Sequence, residues 1–350
     1  TTETVKEVML FDHCTWDDDY KEITQKIRRD LLKLAQVEET EYTTVLMQGS
    51  GSFGVESVLG SVVPKDGCVL LLSNGAYGER AAKMCSYYEI PCIHVKQDYN
   101  KTPDANEAEE LLKTHPEITH IMMIHSETTS GILNDIESIG KLAEAYGKVF
   151  IVDAMSSFAG VEIPVKDWYI DFLISSANKC IQGVPGFSFI IANRVLLMES
   201  KGRARSLCLD LYDQWAGMEK DGKWRYTSPT HVVLAFEQAM KELEQEGGIK
   251  ARHARYQKNM DTLVENFENL GFRLYVDKAW QGPIIATFLY PEGKHFDFQE
   301  MYAYIKERGY AIYPGKLTDA DTFRIGVIGE IYEEDVLRLT EIMKSYMEQA

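Results

Sequence analysis

The chain has 350 residues, 45% of them hydrophobic and 26% charged, a globular composition long enough for a large core and a second domain. Its 54 acidic against 37 basic side chains leave a formal net charge of -17, which repels phosphate backbones and anionic lipid and so argues against a nucleic-acid or membrane partner. No apolar run approaches the roughly 18 residues of a membrane span and no basic-then-apolar leader opens the sequence. Cys14, Cys68, Cys85, Cys92, Cys180 and Cys208 show no C-x-x-C spacing, which suits a reducing cytoplasm.

Residues 5–10 already read as a running helix and the chain starts without Met, so the natural amino terminus is expected upstream. Tyr20, Ile23, Ile27, Leu31 and Leu34 recur at helical spacing and predict a helix over 20–34. A strand at 43–47 runs into Gln48-Gly49-Ser50-Gly51-Ser52-Phe53-Gly54 and a helix through 59. Strands at 68–72, 91–95, 120–124 and 149–152 then alternate with helices at 76–87, 105–113 and 136–146, and further strands follow at 172–174 and 187–192. That alternation predicts an α/β domain with a mostly parallel sheet flanked by helices. Helices at 232–246 and 251–270 precede strands at 273–276, 284–290, 310–313 and 322–325, with helices at 297–308 and 332–348. This is the grammar of a smaller α+β unit with an antiparallel sheet. The expected division is a large domain over 1–245 and a small C-terminal domain over 246–350, with the N-terminal residues a candidate addition to the small one.

Two apolar runs carry the chemistry. Phe150-Ile151-Val152 ends in Asp153, and Ile174-Ser175-Ser176-Ala177-Asn178 leads to Lys179, with Gly183, Pro185 and Gly186 close behind. An apolar strand that ends in one charged side chain delivers it to the crevice at the sheet's carboxyl edge. Asp153 also suits the cap of a helix starting near Ala154, and Lys179 an ordinary surface position. Taken as a pair, a carboxylate and a desolvated amine suggest pyridoxal phosphate, whose aldehyde takes a lysine and whose ring nitrogen takes an aspartate.

The 49–54 loop satisfies G-x-G-x-x-G, the dinucleotide fingerprint, but the next strand ends Leu71-Leu72-Ser73-Asn74 without the acid that would hold a ribose. Its glycines and the Ser50 and Ser52 hydroxyls fit a single phosphate at a helix start. In Asn74-Gly75-Ala76-Tyr77-Gly78 the aromatic is either part of a turn or a platform for a ring. The polar run 125–131 offers Thr128 to the ring's phenolic oxygen, with His125 a base or a structural residue. The segment 224–230 reads as a helix start with Ser and Thr caps. Arg324, alone in an apolar strand, pairs either with an internal acid or with the anion of a substrate.

Together these residues resemble the fold-type I, class V pyridoxal-phosphate aminotransferases. The resemblance covers essentially the whole chain and is strongest to members that act on 2-aminoethylphosphonate and pyruvate. It is carried by FDHCTWDDDY at 11–20, 48–52, 73–78, 125–131, VDAMSSF at 152–158, ISSANKCIQGVPGF at 174–187, GKWRYTSPTH at 222–231 and 313–316. It implies Lys179 as the aldehyde-binding lysine and Asp153 as the ring-nitrogen partner. Ser50, Gly51 and Ser52 would bind the phosphate, Tyr77 would stack on the ring, Thr128 would meet the phenolic oxygen and Arg324 would hold the substrate anion. It also implies a cytoplasmic homodimer with a shared active site, in which Tyr226 or Thr227 reaches the neighbour's phosphate, and an activity in phosphonate catabolism. Such proteins carry a T-P-G-P segment before the point where this sequence begins, and it helps line their active site.

Overall fold

The computed structural model describes residues 1–291, 296–315, 317 and 320–349; Lys316, the last residue of the 313–316 run, lies outside them. The chain opens with α1 (Glu3–Glu7), a 3-10 turn (Val8–Leu10) and α2 (Asp18–Leu34), which buries Tyr20, Ile27, Leu31 and Leu32 along one face. Then follow β1 (Tyr42–Gln48), α3 (Gly51–Val62), β2 (Cys68–Ser73), α4 (Ala76–Tyr87), β3 (Cys92–Lys96), α5 (Ala105–Thr114) and β4 (Ile118–Ile124). A small hairpin, β5 (Ser126–Glu127) and β6 (Ile132–Leu133), precedes α6 (Ile136–Ala145), β7 (Val149–Asp153), β8 (Phe172–Ser176) and β9 (Phe187–Asn193).

The central sheet has seven strands in the order β1-β9-β8-β7-β4-β2-β3. β8, β7, β4, β2 and β3 pair in parallel, and β9 runs against both β8 and β1. Two reversals cancel, so β1 runs the same way as the parallel set and its carboxyl end lies at the same edge. Successive residues alternate between two cores: Leu70, Leu72, Ile121, Met123, Phe150 and Val152 join one, Val69, Leu71, Met122, Ile124 and Ile151 the other. Burial on both faces is why these strands read as unbroken apolar runs and not as alternating ones.

Two helices follow that periodicity did not predict, α7 (Arg194–Glu199) and α8 (Leu211–Asp221). The first has six residues and depends on Asn193, whose side chain accepts from Val195 and Leu196 amides; the second buries little besides Leu211, Gln214 and Met218. Neither presents the wide apolar stripe that periodicity detects. After them come α9 (Thr230–Glu246), α10 (Gly248–Asn269), β10 (Arg273–Leu274), β11 (Ile285–Leu289), α11 (Phe298–Lys306), β12 (Tyr313–Pro314), β13 (Thr322–Gly326) and α12 (Glu333–Met347). The last four strands form an antiparallel sheet, β10-β11-β13-β12, over a core rich in Phe267, Phe272, Phe288 and Phe323. The strand expected at 310–313 shrinks to Tyr313–Pro314, because Gly309 (φ +91°) ends α11 and the Tyr310 amide still donates to Ile305, 3.3 Å away. Among the described residues no helix is long and apolar enough to cross a membrane.

Candidate active site

The carboxyl edge of the sheet collects the candidate residues. Ile124 and Asp153 pair across β4 and β7, and Asp153 pairs with Ile174 on β8, so the loops after these strands leave from one line. The same edge receives the 74–78 loop after β2 and the 49–52 loop after β1. This also disposes of the dinucleotide reading: β1 neighbours the antiparallel β9 and lies at the far side of the sheet from β2, so its glycine loop belongs to no parallel βαβ unit with β2.

A cavity of about 250 Å³ opens there, lined by Ser50, Gly51 and Ser52, by Tyr77 and Arg80, and by Asp153 and Lys179 among others. Ser50 is the N-cap of α3, yet its side chain makes no capping bond, and the Gly51 and Ser52 amides have no backbone acceptor among the described residues. Two hydroxyls and free amides at a helix start form an anion cradle. A Cβ on Gly51 would lie 2.2 Å from Met155 Sδ, so the loop approaches the opposite wall as closely as glycine permits.

Asp153 is buried, and no helix follows it: Oδ1 accepts from the Met155 amide at 2.9 Å in a turn, which replaces the capping role. Among the described residues this is the one hydrogen bond on the carboxylate. Burial pushes its pKa up from 3.8 to about 6; the Met155 amide opposes the rise, the Glu127 charge adds to it, and Arg80 and Lys179 work against it. A buried carboxylate with a spare oxygen is suited to a cationic ring nitrogen.

Lys179 Nζ has no hydrogen bond or ion pair among the described residues. Its loop is fixed from behind. Arg252 Nη1 donates to the Cys180 carbonyl at 2.6 Å, Cys180 Sγ to the Ser156 carbonyl at 3.1 Å, and Gln182 Nε2 to Tyr256 Oη at 2.9 Å. Gln182 holds a φ of +69°, a left-handed conformation uncommon for residues that carry a side chain.

A second cavity, about 400 Å³, adjoins the first and shares Tyr77 and Lys179 with it; Thr128, Ser156, Tyr313 and Arg324 also line it. Arg324 Nη1 donates to the Thr128 carbonyl at 2.8 Å and Nε to the Pro314 carbonyl at 3.1 Å. Among the described residues it pairs with no acid, so an internal salt bridge is absent and Nη2 remains without a partner.

Glu127, unassigned within its polar run, is fully buried, and burial raises its pKa. It accepts from the Thr129 amide and hydroxyl at 3.0 and 2.6 Å and from the Tyr77 amide at 3.3 Å, tying the Tyr77 loop to the loop after β4. Arg80 was also not anticipated: it stands three residues after Tyr77 in an unremarkable surface pattern. His125 lines neither cavity; burial lowers its pKa to about 3, and its Nδ1 is buried without a partner. Tyr226 and Thr227 are exposed and line neither of these two cavities. The expected caps of the 224–230 segment are not used, since α9 starts without a side-chain cap and Ser228 instead shares a 2.6 Å hydrogen bond with Tyr20. The 11–20 and 222–231 runs meet here, with Lys223 Nζ 3.6 Å from the Trp16 ring centre and Asp12 3.0 Å from His231.

A lysine and an aspartate thus meet at one edge of the parallel sheet, beside an anion cradle and an arginine-lined annex. The profile of the class-V aminotransferase family matches residues 14–338, and the chain belongs to that family. Within it, the chain is 55% identical over 342 residues to the 2-aminoethylphosphonate--pyruvate transaminase of Bacillus cytotoxicus, covering 97% of this chain and 93% of the relative. It is 54% identical over 347 residues to the protein of that name from Lysinibacillus sphaericus, covering 99% and 94%. In fold it superposes on the crystal structure of alanine--glyoxylate aminotransferase from Nostoc sp. with a TM-score of 0.90 at 22% identity, covering 98% of this chain and 92% of the other.

Proposed function

We propose that this protein transfers the amino group of 2-aminoethylphosphonate to pyruvate with the aid of pyridoxal phosphate, giving phosphonoacetaldehyde and L-alanine. The observation that carries the reading is the shared wall of Tyr77 and Lys179: Asp153 and the cradle stand on one side of it, Arg324 on the other. The donor set fits the cofactor. Ser50, Gly51 and Ser52 would hold its phosphate, Asp153 its ring nitrogen, Thr128 its phenolic oxygen, Tyr77 one face of its ring and Lys179 its aldehyde. When bound, the cofactor supplies a carbonyl that takes up an amino group and a ring that accepts electrons.

The protein's own residues do the rest. Arg324 positions the phosphonate and, in the second half of the reaction, the carboxylate of pyruvate, both oxyanions suited to a guanidinium. Lys179 Nζ takes the proton from the carbon that bears the donor's amine, and later delivers one to C2 of the pyruvate skeleton. Asp153 keeps the ring nitrogen protonated through its negative charge. The two-domain division at 1–245 and 246–350 belongs to the same reading, with the substrate cavity walled from both. So does a homodimer: Phe11, Trp16 and Tyr226 expose 67%, 70% and 41% of their surface, apolar area for a second copy to cover while Tyr226 or Thr227 reaches its phosphate.

Lys179→Ala tests the assignment. The purified protein should lose the visible absorbance of bound cofactor that borohydride fixes on the wild-type lysine, and turnover should vanish. Retention of both would refute it. Aminoethylphosphonate should outperform alanine-like amino acids as donor in side-by-side assays with pyruvate or glyoxylate.

A further inference from the structure

We propose that Arg80 is the cation that binds the cofactor's phosphate ester, an inference that rests on the reading that this cavity takes pyridoxal phosphate. Three charged side chains line the cavity: Arg80, Asp153 and Lys179. In that reading Asp153 faces the ring nitrogen and Lys179 the aldehyde, so Arg80 is the lining cation left for the phosphate's negative charge. The cradle otherwise offers neutral donors, two serine hydroxyls and the amides of α3, whose helix end contributes about half a positive charge. In a chain with a net charge of -17 the long-range field opposes an anionic cofactor, and a local cation is what reverses it.

The geometry is already that of the cradle. Arg80 Nη1 donates to Ser52 Oγ at 2.9 Å, although Ser52 lies 28 residues away on another helix. The guanidinium carbon sits 5.1 Å from the centre of the Tyr77 ring, which keeps the fork beside the proposed ring platform. Tyr77 and Arg80 are three residues apart on α4 and therefore share a helix face. Among the described residues Arg80 forms no salt bridge, so no carboxylate occupies its fork. Its planar fork suits a phosphate, which accepts from two nitrogens at once. Arg80 is thus a binding residue for the ester, not merely a support for the ring.

The test separates these roles by removing the phosphate from the ligand. Apoprotein is titrated with pyridoxal phosphate and with pyridoxal, following the absorbance change and the quenching of tryptophan fluorescence. Arg80→Ala should raise the Kd for pyridoxal phosphate about tenfold or more, the worth of one charge-assisted contact, and leave that for pyridoxal within a factor of about two. Arg80→Lys should fall between variant and wild type, and inorganic phosphate should compete less well against cofactor uptake in Arg80→Ala. Arg80 is exposed, so truncation should leave apoprotein unfolding unchanged. Equal weakening of both ligands, the signature of ring support alone, would overturn the proposal, as would no change in either. Wild-type protein that takes up neither ligand would overturn the cofactor reading itself, an outcome distinct from both.

Discussion

Asp153→Asn should make the cofactor-free protein more stable at pH 8 while abolishing its activity. The carboxyl is held at about 6 in the fold against 3.8 ordinarily, so the folded state binds this proton more tightly than the unfolded chain does. Between pH 4 and 6 stability therefore falls as pH rises, and above about pH 6 the full cost of the buried charge is present. At 1.36 kcal/mol per pKa unit that cost is about 3 kcal/mol. Asparagine can keep the 2.9 Å bond from the Met155 amide but leaves its own NH₂ without an acceptor, which returns about 1 kcal/mol or more. The net gain expected at pH 8 is about 1–2 kcal/mol, read from urea titrations of apoprotein at unchanged m-value. At pH 4, where the wild-type carboxyl is largely protonated in the fold, the gain should disappear or turn into a small loss. A gain of equal size at both pH values would show that packing and not ionisation is responsible. No gain at pH 8 would refute the account of Asp153 as a charge held against its burial cost for function.

Glu127→Gln should destabilise the protein by about 1–3 kcal/mol, because an amide group replaces an acceptor that faces the Tyr77 and Thr129 N–H groups. It should also move the Asp153 transition to lower pH, since the Glu127 charge contributes to its upward shift; an unmoved transition would refute that coupling. Gly51→Ala and Gly78→Ala should part company. The added methyl at 51 displaces only the flexible end of Met155 into the cofactor cavity and should weaken cofactor uptake about tenfold, whereas at 78 it meets Ser73 Cβ at 2.2 Å and should damage folding, read by calorimetry. Arg324→Lys should raise KM for aminoethylphosphonate and for pyruvate alike, by about 10- to 100-fold, because the charge stays but the bonds to the Thr128 and Pro314 carbonyls that aim the guanidinium are lost.

Much of the frame was legible because both faces of the sheet are buried. That burial turns strands into apolar runs, and the runs end where chemistry begins, at Asp153 and just before Lys179. Arg324 stood out for the same reason, as one charge in an apolar strand. Arg80 could not be found this way. Its pattern is that of any exposed helical arginine, and its significance comes from Ser52, a neighbour only in three dimensions. Glu127 lay inside a run whose polarity hid which member was buried; the contact that marks it, a Gly75 with no room for a Cβ beside the Glu127 carboxyl, needs the folded loops of β2 and β4. Tyr226 and Thr227 fail to enter their own cavities for a different reason. Both are exposed, and the contact proposed for them with a second copy is not encoded in the contacts of one chain.

Arg324 also bears on the order of events in the proposed reaction. Its Nε and Nη1 donate to the Pro314 and Thr128 carbonyls, which fix the guanidinium at the annex and leave Nη2 without a partner among the described residues. In the proposed reaction phosphonate and carboxylate would meet this arginine in turn, across the wall that Tyr77 and Lys179 form between the two cavities. Lys179 is the one amine that lines both spaces among the described residues, beside the Tyr77 ring. A single amine placed at that wall can attend first to the donor's carbon and then to the acceptor's, without either substrate having to share the site with the other.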